Sequence, residues 1–317
     1  MINRDYQYTK KYTNVNEFFL PDGSVYIYGI SPEERSYAIV DFLKEKFKNT
    51  KFIKIVPVDD EKDVIMINDT GNHYSLRNSN AMESLFATYE SSVIYIDSSG
   101  LDNRISASLL KNVVSFSQKK QLEINVIYVE PYSYKIEQFK SEGVFNDLSE
   151  KIDEIEPLPG FANIIPDTDD MKFVALLGFE GGRFTYLLER IQPPRDRIIP
   201  VIGVPGFRFE YPFVALWGNR LPLEETNSWD NILYITSNSL VDVFFLLEKI
   251  LYQTSENAKI TLAPIGTKPH AIGAILFAIK HPKRVEIVYD NPKRKIIRTD
   301  GTGLIVVSNI STLLSEN

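Results

Sequence analysis

KITLAPIGTKPHAIGAILFAIK, residues 259–280, is the segment that indicates the fold class most clearly. Its first part, Lys259–Pro264, is apolar and β-branched, which is typical of a buried strand. Its last part, Pro269–Ile279, predicts a helix that Thr267 can cap and that carries a proline early in its first turn. A buried strand that leads through a tight turn into a helix is the repeating unit of α/β proteins.

The same strand-then-helix pattern continues away from this stretch. We predict further strands at Val25–Ile30, Lys51–Val58, Val93–Asp97, Ile124–Glu130, Lys172–Gly178, Arg197–Val204, Ile232–Thr236 and Val285–Tyr289. We predict further helices over Ser31–Phe47, from Asp102, from near Arg183, and from Asn238 or Ser239. Helix-bearing crossovers between strands imply a mostly parallel sheet with helices on both faces. The tail Ile296–Ser308 predicts a final hairpin around Asp300–Gly303.

The two halves of the chain can be laid over each other. Tyr28–Tyr37 (YGISPEERSY) aligns with Leu177–Tyr186 (LGFEGGRFTY), and Ser92–Leu101 (SVIYIDSSGL) with Asn231–Leu240 (NILYITSNSL). We therefore predict two Rossmann-like halves, residues 1–150 with an amino-terminal arm and residues 151–317 with the Gly-Thr-Lys turn and the hairpin. The acidic, proline-rich region 131–170 is the predicted boundary. Buried strands draw on few residue types, so a tandem duplication and a coincidental likeness both remain open.

The composition excludes several classes of function. The 317 residues include no cysteine, so disulfides, thiolate zinc sites, iron–sulfur clusters and cysteine nucleophiles are excluded. There are three histidines, too few for a histidine-rich metal centre, and we predict no metal site. The 42 acidic and 35 basic residues give a net charge of −7, which argues against wrapping nucleic acid but allows a local anion site.

The amino terminus gives no sign of targeting. Met1–Phe19 is polar and rich in tyrosine, without the apolar core of a signal peptide. Elsewhere no apolar run approaches the roughly 18 residues of a membrane span. We therefore expect a cytoplasmic protein that does not contact a membrane.

A first candidate ligand site follows one of the predicted strands. Ligands of open α/β sheets bind beyond the carboxyl ends of the strands, where glycines let the backbone approach a ligand and a helix amino end favours an anion. The ligand-binding candidates here are Gly178, Glu180, Gly181, Gly182 and Arg183. Arg183 could clamp a phosphate or carboxylate. The glycine spacing is not the dinucleotide fingerprint, and a tight turn with a surface arginine is the alternative.

A second candidate site is the turn Gly266-Thr267-Lys268. Exposed amides, the Thr267 hydroxyl and the Lys268 ammonium would converge on one point, which suits a phosphate or another anion. The P-loop spacing is absent, and a capped helix with a solvated lysine is the alternative. A further loop, Gly203–Arg208, also follows a predicted strand, but there we favour a rigid turn.

Few groups could carry catalysis. The weak candidates are Glu180, Asp290 and His270, acting as acid, base or, for the two carboxylates together with Asp97, as ligands of Mg²⁺ if the protein is an enzyme. Seven basic residues and two acidic residues lie between Lys280 and Arg298. That segment either is a solvated face or lines the same anion site.

The run GTKP, between a buried strand and a helix of small residues, is similar to the Gly-Thr-Lys signature of the CRISPR-associated Rossmann-fold (CARF) sensor domains. The duplicated layout resembles the related SAVED domains, which fuse two such units in one chain. The resemblance implies an oligonucleotide second messenger bound across the two halves, with Thr267 and Lys268 holding phosphate. It also implies a role in prokaryotic antiviral defence or stress signalling. Glu130-Pro131-Tyr132 stands where a second Gly-Thr-Lys would be expected.

Three functions follow from these observations. The leading interpretation is a binding or sensor protein for an anionic, nucleotide-type ligand. An enzyme that hydrolyses nucleotides or phosphoesters is the second. The third is a non-catalytic subunit of a larger complex with a protein partner, supported by the aromatic content of 12% and the polar arm Met1–Phe18.

Overall fold

The computed structural model describes residues 4–135, 148–152, 155–162, 170–294 and 298–315, which form an α/β fold. The helices described are α1 (Asp5–Tyr8), α2 (Ala38–Lys46), α3 (Ser79–Ala87), α4 (Asn103–Lys119), α5 (Gly181–Ile191), α6 (Tyr211–Gly218), α7 (Arg220–Thr226), α8 (Leu240–Tyr252), α9 (Lys268–Lys280) and α10 (Ile310–Ser315). The strands described are β1 (Thr9–Tyr12), β2 (Val25–Gly29), β3 (Lys51–Val58), β4 (Glu61–Ile67), β5 (His73–Ser75), β6 (Val93–Asp97), β7 (Glu123–Val129), β8 (Ser133–Tyr134), β9 (Ser149–Ile152), β10 (Met171–Leu176), β11 (Ile198–Gly203), β12 (Leu233–Ile235), β13 (Lys259–Pro264), β14 (Val285–Ile287), β15 (Pro292–Arg294), β16 (Thr299–Asp300) and β17 (Ile305–Asn309).

The chain folds as two compact units. Unit 1 comprises Met1–Tyr134 with Ile296–Asn317, and unit 2 comprises Lys135–Lys295. These units differ from the predicted halves 1–150 and 151–317, because the carboxyl-terminal segment is part of unit 1. Much of the predicted boundary region lies outside the described residues.

Unit 2 is built on a parallel sheet with the strand order β12-β11-β10-β13-β14. From β10 the chain moves outward through β11 to β12 and then returns to β13 on the other side of β10. This order is Rossmann-like and creates a topological switch point between β10 and β13, where Leu176 pairs with Pro264. The carboxyl ends of these two strands therefore lie side by side.

Apolar packing holds unit 2 together on both faces of this sheet. Phe173, Phe184 and Leu187 are fully buried in one cluster, which joins β10 to α5. On α9, Gly273 allows a close approach, since an added Cβ would lie 2.5 Å from the carbonyl oxygen of Leu240. Gly273 therefore brings α9 close to α8.

Unit 1 has a mixed sheet with the order β1-β17-β7-β6-β2-β3-β4-β5. Its middle strands, β7, β6, β2 and β3, are parallel, and antiparallel strands extend the sheet at both edges. The switch point of this unit lies between β2 and β6. Tyr26, Tyr28 and Tyr95 are core residues of this unit.

The predicted helix over Ser31–Phe47 is too long at its amino end. Glu33 has an extended backbone (φ −83°, ψ 129°), Glu34–Ser36 form a single 3₁₀ turn, and α2 begins at Ala38. The carboxylate of Glu33 binds the buried guanidinium of Arg35, with Nε and Nη2 at 2.9 and 2.7 Å from Oε2. This buried ion pair outweighs the local helix-start signal.

The predicted carboxyl-terminal hairpin is wrong. β16 pairs with β8, and β17 pairs with β7 and β1, each in the antiparallel sense. The segment β3–β5 also contains a hairpin that the polar sequence did not suggest. The partner strands of β16 and β17 are more than a hundred residues away in the sequence, whereas β3 and β4 pair across a tight turn, with Val58 opposite Glu61. Within the described part of the chain, every helix is too short or too polar to span a membrane.

Candidate functional site

The two loops that follow β10 and β13 meet at the switch point of unit 2. An added Cβ on Gly178 would lie 3.0 Å from the carbonyl oxygen of Ile265. An added Cβ on Gly266 would lie 2.5 Å from the carbonyl oxygen of Leu177. Backbone therefore packs directly on backbone, and Gly266 in particular leaves no space for a side chain.

The amino end of α9 forms one side of the switch point of unit 2. Thr267 caps the helix as predicted, because its Oγ1 accepts a hydrogen bond from the amide of His270 at 3.4 Å. The same hydroxyl donates to the carbonyl of Ser237 at 2.8 Å, which ties the turn to the end of β12. Gly266, Thr267 and Lys268 remain partly exposed. The turn is thus fixed in shape and still open to solvent.

Several backbone amides at the switch point have no protein partner. Within the described residues, the N–H groups of Gly178, Gly182, Gly266 and Thr267 donate no hydrogen bond. These residues are all partly or fully exposed. Since main-chain donors in folded proteins almost always find a partner, these four must bond water or a ligand. They belong to the two adjacent loops, so one bound group could receive several of them.

Arg183 lies inside unit 2 and not on its surface. Its Nε and Nη2 donate to the two carboxylate oxygens of Asp290 at 2.7 and 2.6 Å. Burial alone would lower the pKa of Arg183, but the hydrogen bonds and charge of Asp290 raise it, so the guanidinium stays charged. The expectation that Arg183 clamps a ligand phosphate therefore needs correction, because its donors are already used by the protein.

Arg183 instead shapes the candidate site from behind. Its Nη1 donates to the carbonyl oxygen of Ile265 at 2.9 Å. The peptide that joins Ile265 to Gly266 is planar and trans, so its N–H points away from the carbonyl. Fixing that carbonyl toward the core therefore directs the Gly266 amide away from the guanidinium.

Glu180 and Asp290 surround the same guanidinium. Glu180 is 8% exposed, and its Oε2 lies 3.7 Å from Nη1 of Arg183. Asp290 is completely buried. Asp97, the third carboxylate considered for magnesium, lies in unit 1, where it accepts a hydrogen bond from Tyr26. Among the described residues, no three acidic or histidine side chains are grouped as metal ligands.

His270 is completely buried in the first turn of α9. Its Nε2 lies 3.0 Å from the carbonyl oxygen of Thr236, and desolvation lowers the pKa of His270 to about 4. The ring is therefore neutral near pH 7, with Nε2–H donating to Thr236. The buried position keeps this imidazole away from any molecule bound at the surface.

In the loop Gly203–Arg208 and in the basic segment Lys280–Arg298, residues make contacts within the protein. In the loop Gly203–Arg208, an added Cβ on Gly203 would lie 2.1 Å from Oγ of Ser237, and Arg208 pairs with Glu210 at 3.0 Å. In the basic segment, Lys280 pairs with Glu248 at 3.3 Å. Lys295 of that segment lies outside the described residues.

Two residues that support the site were missed by the sequence. The carbonyl of Ser237 holds Thr267, as described above. Asn219 is fully buried and donates to the carbonyl of Gly178 at 2.7 Å, which fixes the loop after β10. Asn219 lies between α6 and α7, in a region where we predicted no helix. No local sequence signal distinguishes such an asparagine from a solvated one.

No protein-family model and no curated protein matches the chain. Among solved structures, a GDP-L-fucose synthetase from Naegleria fowleri is similar at a TM-score of 0.23 and 9% sequence identity, over 90% of this chain and 87% of that chain. Similarity at this level does not bear on function. The strand order of the two sheets is what defines this chain as an α/β protein with two Rossmann-like units.

Proposed function

We propose that unit 2 binds an anionic, nucleotide-type ligand at the switch point between β10 and β13. The observation that carries this proposal is the set of unpartnered amides on two adjacent loops: Gly178 and Gly182 on one, Gly266 and Thr267 on the other. Gly266 and Thr267 are consecutive, and main-chain N–H groups at the amino end of a helix are suited to the oxygens of a phosphate.

The electrostatics of the site favour an anion. Helix α9 begins at this edge of the sheet, at Lys268, and α5 begins beside it at Gly181, where the carboxylate of the N-cap residue Glu180 lies 3.7 Å from the guanidinium of Arg183. The amino end of a helix carries a partial positive charge of roughly half a unit. Thr267 caps α9 without adding a negative charge, and the ammonium of Lys268 adds a positive one. A phosphate here would gain hydrogen bonds and Coulomb energy together.

A nucleotide is the ligand class that fits this position in the fold. In open α/β sheets the crevice at the switch point is where mononucleotides and dinucleotides bind. The similarity of the Gly-Thr-Lys turn to CARF and SAVED domains favours an oligonucleotide messenger, and with it a sensor role in prokaryotic antiviral defence. That finer assignment rests on the resemblance alone.

Binding without turnover is the better-supported activity. His270 is buried and neutral, and Asp290 is fully used by Arg183. Neither could transfer a proton to a molecule at the surface without a rearrangement of the core. Among the residues that the structure describes, no contact favours the hydrolase alternative over binding.

The test is a matched pair of lysine variants. Lys268→Ala removes the ammonium at the proposed site, and Lys283→Ala removes one from the exposed turn before β14, at the opposite edge of the sheet. Binding of nucleoside triphosphates and of cyclic and linear oligonucleotides is measured by isothermal titration calorimetry. We expect Lys268→Ala to weaken binding at least tenfold, with an unchanged Tm, and Lys283→Ala to bind as the wild type does. Equal binding by both variants, or no binding of any nucleotide by the wild type, would overturn the proposal.

A further inference from the structure

Four large apolar side chains of unit 2 are exposed at a regular spacing. Phe209, Phe213, Trp217 and Leu221 follow one another every four residues and have exposed fractions of 87%, 59%, 45% and 42%. We call these four residues the apolar ridge. The exposure of Trp217 places it outside the core of unit 2.

The spacing places Phe213 and Trp217 on one side of α6, with Phe209 just before this helix and Leu221 in α7. Residues four apart lie on the same face of a helix, one turn above the other. The rings of Phe209 and Phe213 are 5.8 Å apart between centroids, so the row continues into the segment before the helix. On the other side of α6, Val214 and Ala215 are buried in unit 2. α6 is thus apolar on both sides, whereas a helix at a water-facing surface normally has a polar outer face.

Two copies of the apolar ridge together reach the size of a small protein interface. With about 200 Å² for a fully exposed aromatic side chain, these exposed fractions correspond to roughly 400–500 Å² of apolar surface. Two such ridges packed together, with their charged borders, would bury about 1,000 Å², which is the lower limit for a specific protein–protein interface. A row of side chains four residues apart is also the ridge that packs into its own equivalent in the commonest class of helix pair.

The charges around the apolar ridge are self-complementary. At one end Arg208 and Glu210 form an exposed pair at 3.0 Å. At the other end Arg220 lies over the ring of Trp217, 4.5 Å from its centroid, and Glu224 is exposed on the same helix, α7. A two-fold axis would place each end of the apolar ridge against the opposite end of the ridge of a second copy. Arg208 of one copy would then face Glu224 of the other, and Arg220 would face Glu210.

We propose that the apolar ridge is the surface through which two copies of this chain associate, with α6 of one copy packed against α6 of its partner about a two-fold axis. The balanced charges distinguish this occupant from a lipid surface, which selects helices with an excess of basic residues beside the apolar face. The aromatic residues would be the centre of the interface, and the charged pairs its solvated border.

The test uses the full chain in sedimentation-equilibrium ultracentrifugation over a range of concentrations. The wild type is expected to form a dimer of twice the 36.3 kDa chain mass. The double variant Phe213→Glu with Trp217→Glu should raise the dimer Kd at least about 100-fold. The control Tyr252→Glu changes an aromatic residue that is 82% exposed at the end of α8, and it should leave the Kd unchanged.

Charge reversal tests the two-fold geometry. Arg220→Glu alone should weaken the dimer about tenfold, and adding Glu210→Arg should restore it, because the two residues face each other across the axis. A wild-type chain that stays monomeric at a concentration of about 10⁻⁴ M would overturn the proposal. So would a dimer that persists in the double glutamate variant. Cosedimentation of the wild type with anionic vesicles, lost in the double variant, would assign the apolar ridge to a membrane instead.

Discussion

The two units bury an arginine at corresponding places but secure it in different ways. Arg35 follows Gly29 of unit 1, and Arg183 follows Gly178 of unit 2, each near the start of the first helix after the first parallel strand. Each donates through Nη1 to a carbonyl near the end of another strand, Arg35 to Val129 at 3.3 Å and Arg183 to Ile265 at 2.9 Å. In unit 1 the carboxylate partner, Glu33, is two residues away, whereas in unit 2 it is Asp290, 107 residues away.

The second helix at each switch point shows the more important difference. Both turns pack glycine on backbone: an added Cβ on Gly100 would lie 2.0 Å from the carbonyl oxygen of Gly29, much as Gly266 packs on Leu177. In unit 1, however, Asp102 caps α4 and accepts from Ile105 at 2.7 Å, so a negative charge already occupies the helix end. In unit 2 the cap is the neutral Thr267, followed by Lys268.

This difference indicates which unit can receive an anion. The same backbone packing serves both sheets, but a carboxylate at the amino end of α4 neutralises the charge that would attract a phosphate. The amino end of α9 keeps that attraction. The two units therefore share a fold and differ in the electrostatics of one helix end.

Of all the substitutions proposed for unit 2, removing the buried Arg183–Asp290 pair should lower the stability most. Asp290→Ala leaves the buried guanidinium of Arg183 without its carboxylate and should lower the free energy of unfolding by about 3–5 kcal/mol. Both tryptophans, Trp217 and Trp229, belong to unit 2, so urea unfolding followed by tryptophan fluorescence reports on that unit.

The control for this variant is a surface ion pair of the same unit. Asp196 lies 3.1 Å from Arg197, and its side chain is 77% exposed. Because solvent screens such a pair, Asp196→Ala should change stability by less than about 1 kcal/mol. Similar losses for the two variants would contradict the account of Arg183.

The pH dependence of stability should also separate the units. The pKa of His270 is about 4 in the folded state, against an ordinary value of 6.5, so the unfolded chain binds more protons between those values. Unit 2 should therefore lose stability, by up to about 3 kcal/mol, as the pH falls from 7 to 4. Urea unfolding of His270→Gln should show a weaker dependence in this range. His73 of unit 1 is exposed, and His73→Gln should keep the full dependence seen by tryptophan fluorescence.

Substituting the glycines of unit 2 should have smaller effects of opposite sign. Gly266→Ala forces a Cβ to within 2.5 Å of the carbonyl of Leu177 and should cost about 1–3 kcal/mol. Gly182→Ala meets no atom within 4 Å in the first turn of α5 and should stabilise unit 2 by up to about 1 kcal/mol. Thermal unfolding would measure both, and equal destabilisation would show that the close approach at Gly266 is not what constrains it.

Much of the fold follows from the sequence where strands are short, buried and bounded by turns. Lys51–Val58, Val93–Asp97 and Lys259–Pro264 are predicted with the bounds that the structure has, because each is a β-branched apolar run. The caps Asp102 and Thr267 are also confirmed. These signals are local, and here they agree with the packing around them.

Several of the failures involve distant partners. β17 pairs with β7 and β1, which are more than a hundred residues away in the sequence. The tail therefore does not form the predicted hairpin. α6 was missed because it is apolar on both sides and lacks a clear helical period. The residues next to an arginine after a glycine turn do not show whether its side chain faces solvent or the core. Arg183 is buried because it pairs with Asp290, which is far away in the sequence.

Hydrogen–deuterium exchange with and without the best-binding nucleotide of the panel would locate the bound ligand. We expect slower exchange in peptides that cover residues 177–184 and 264–270 of unit 2. We expect no change over residues 97–105, the corresponding turn of unit 1, whose helix end already holds Asp102. Protection of 97–105, with 264–270 unchanged, would contradict the account.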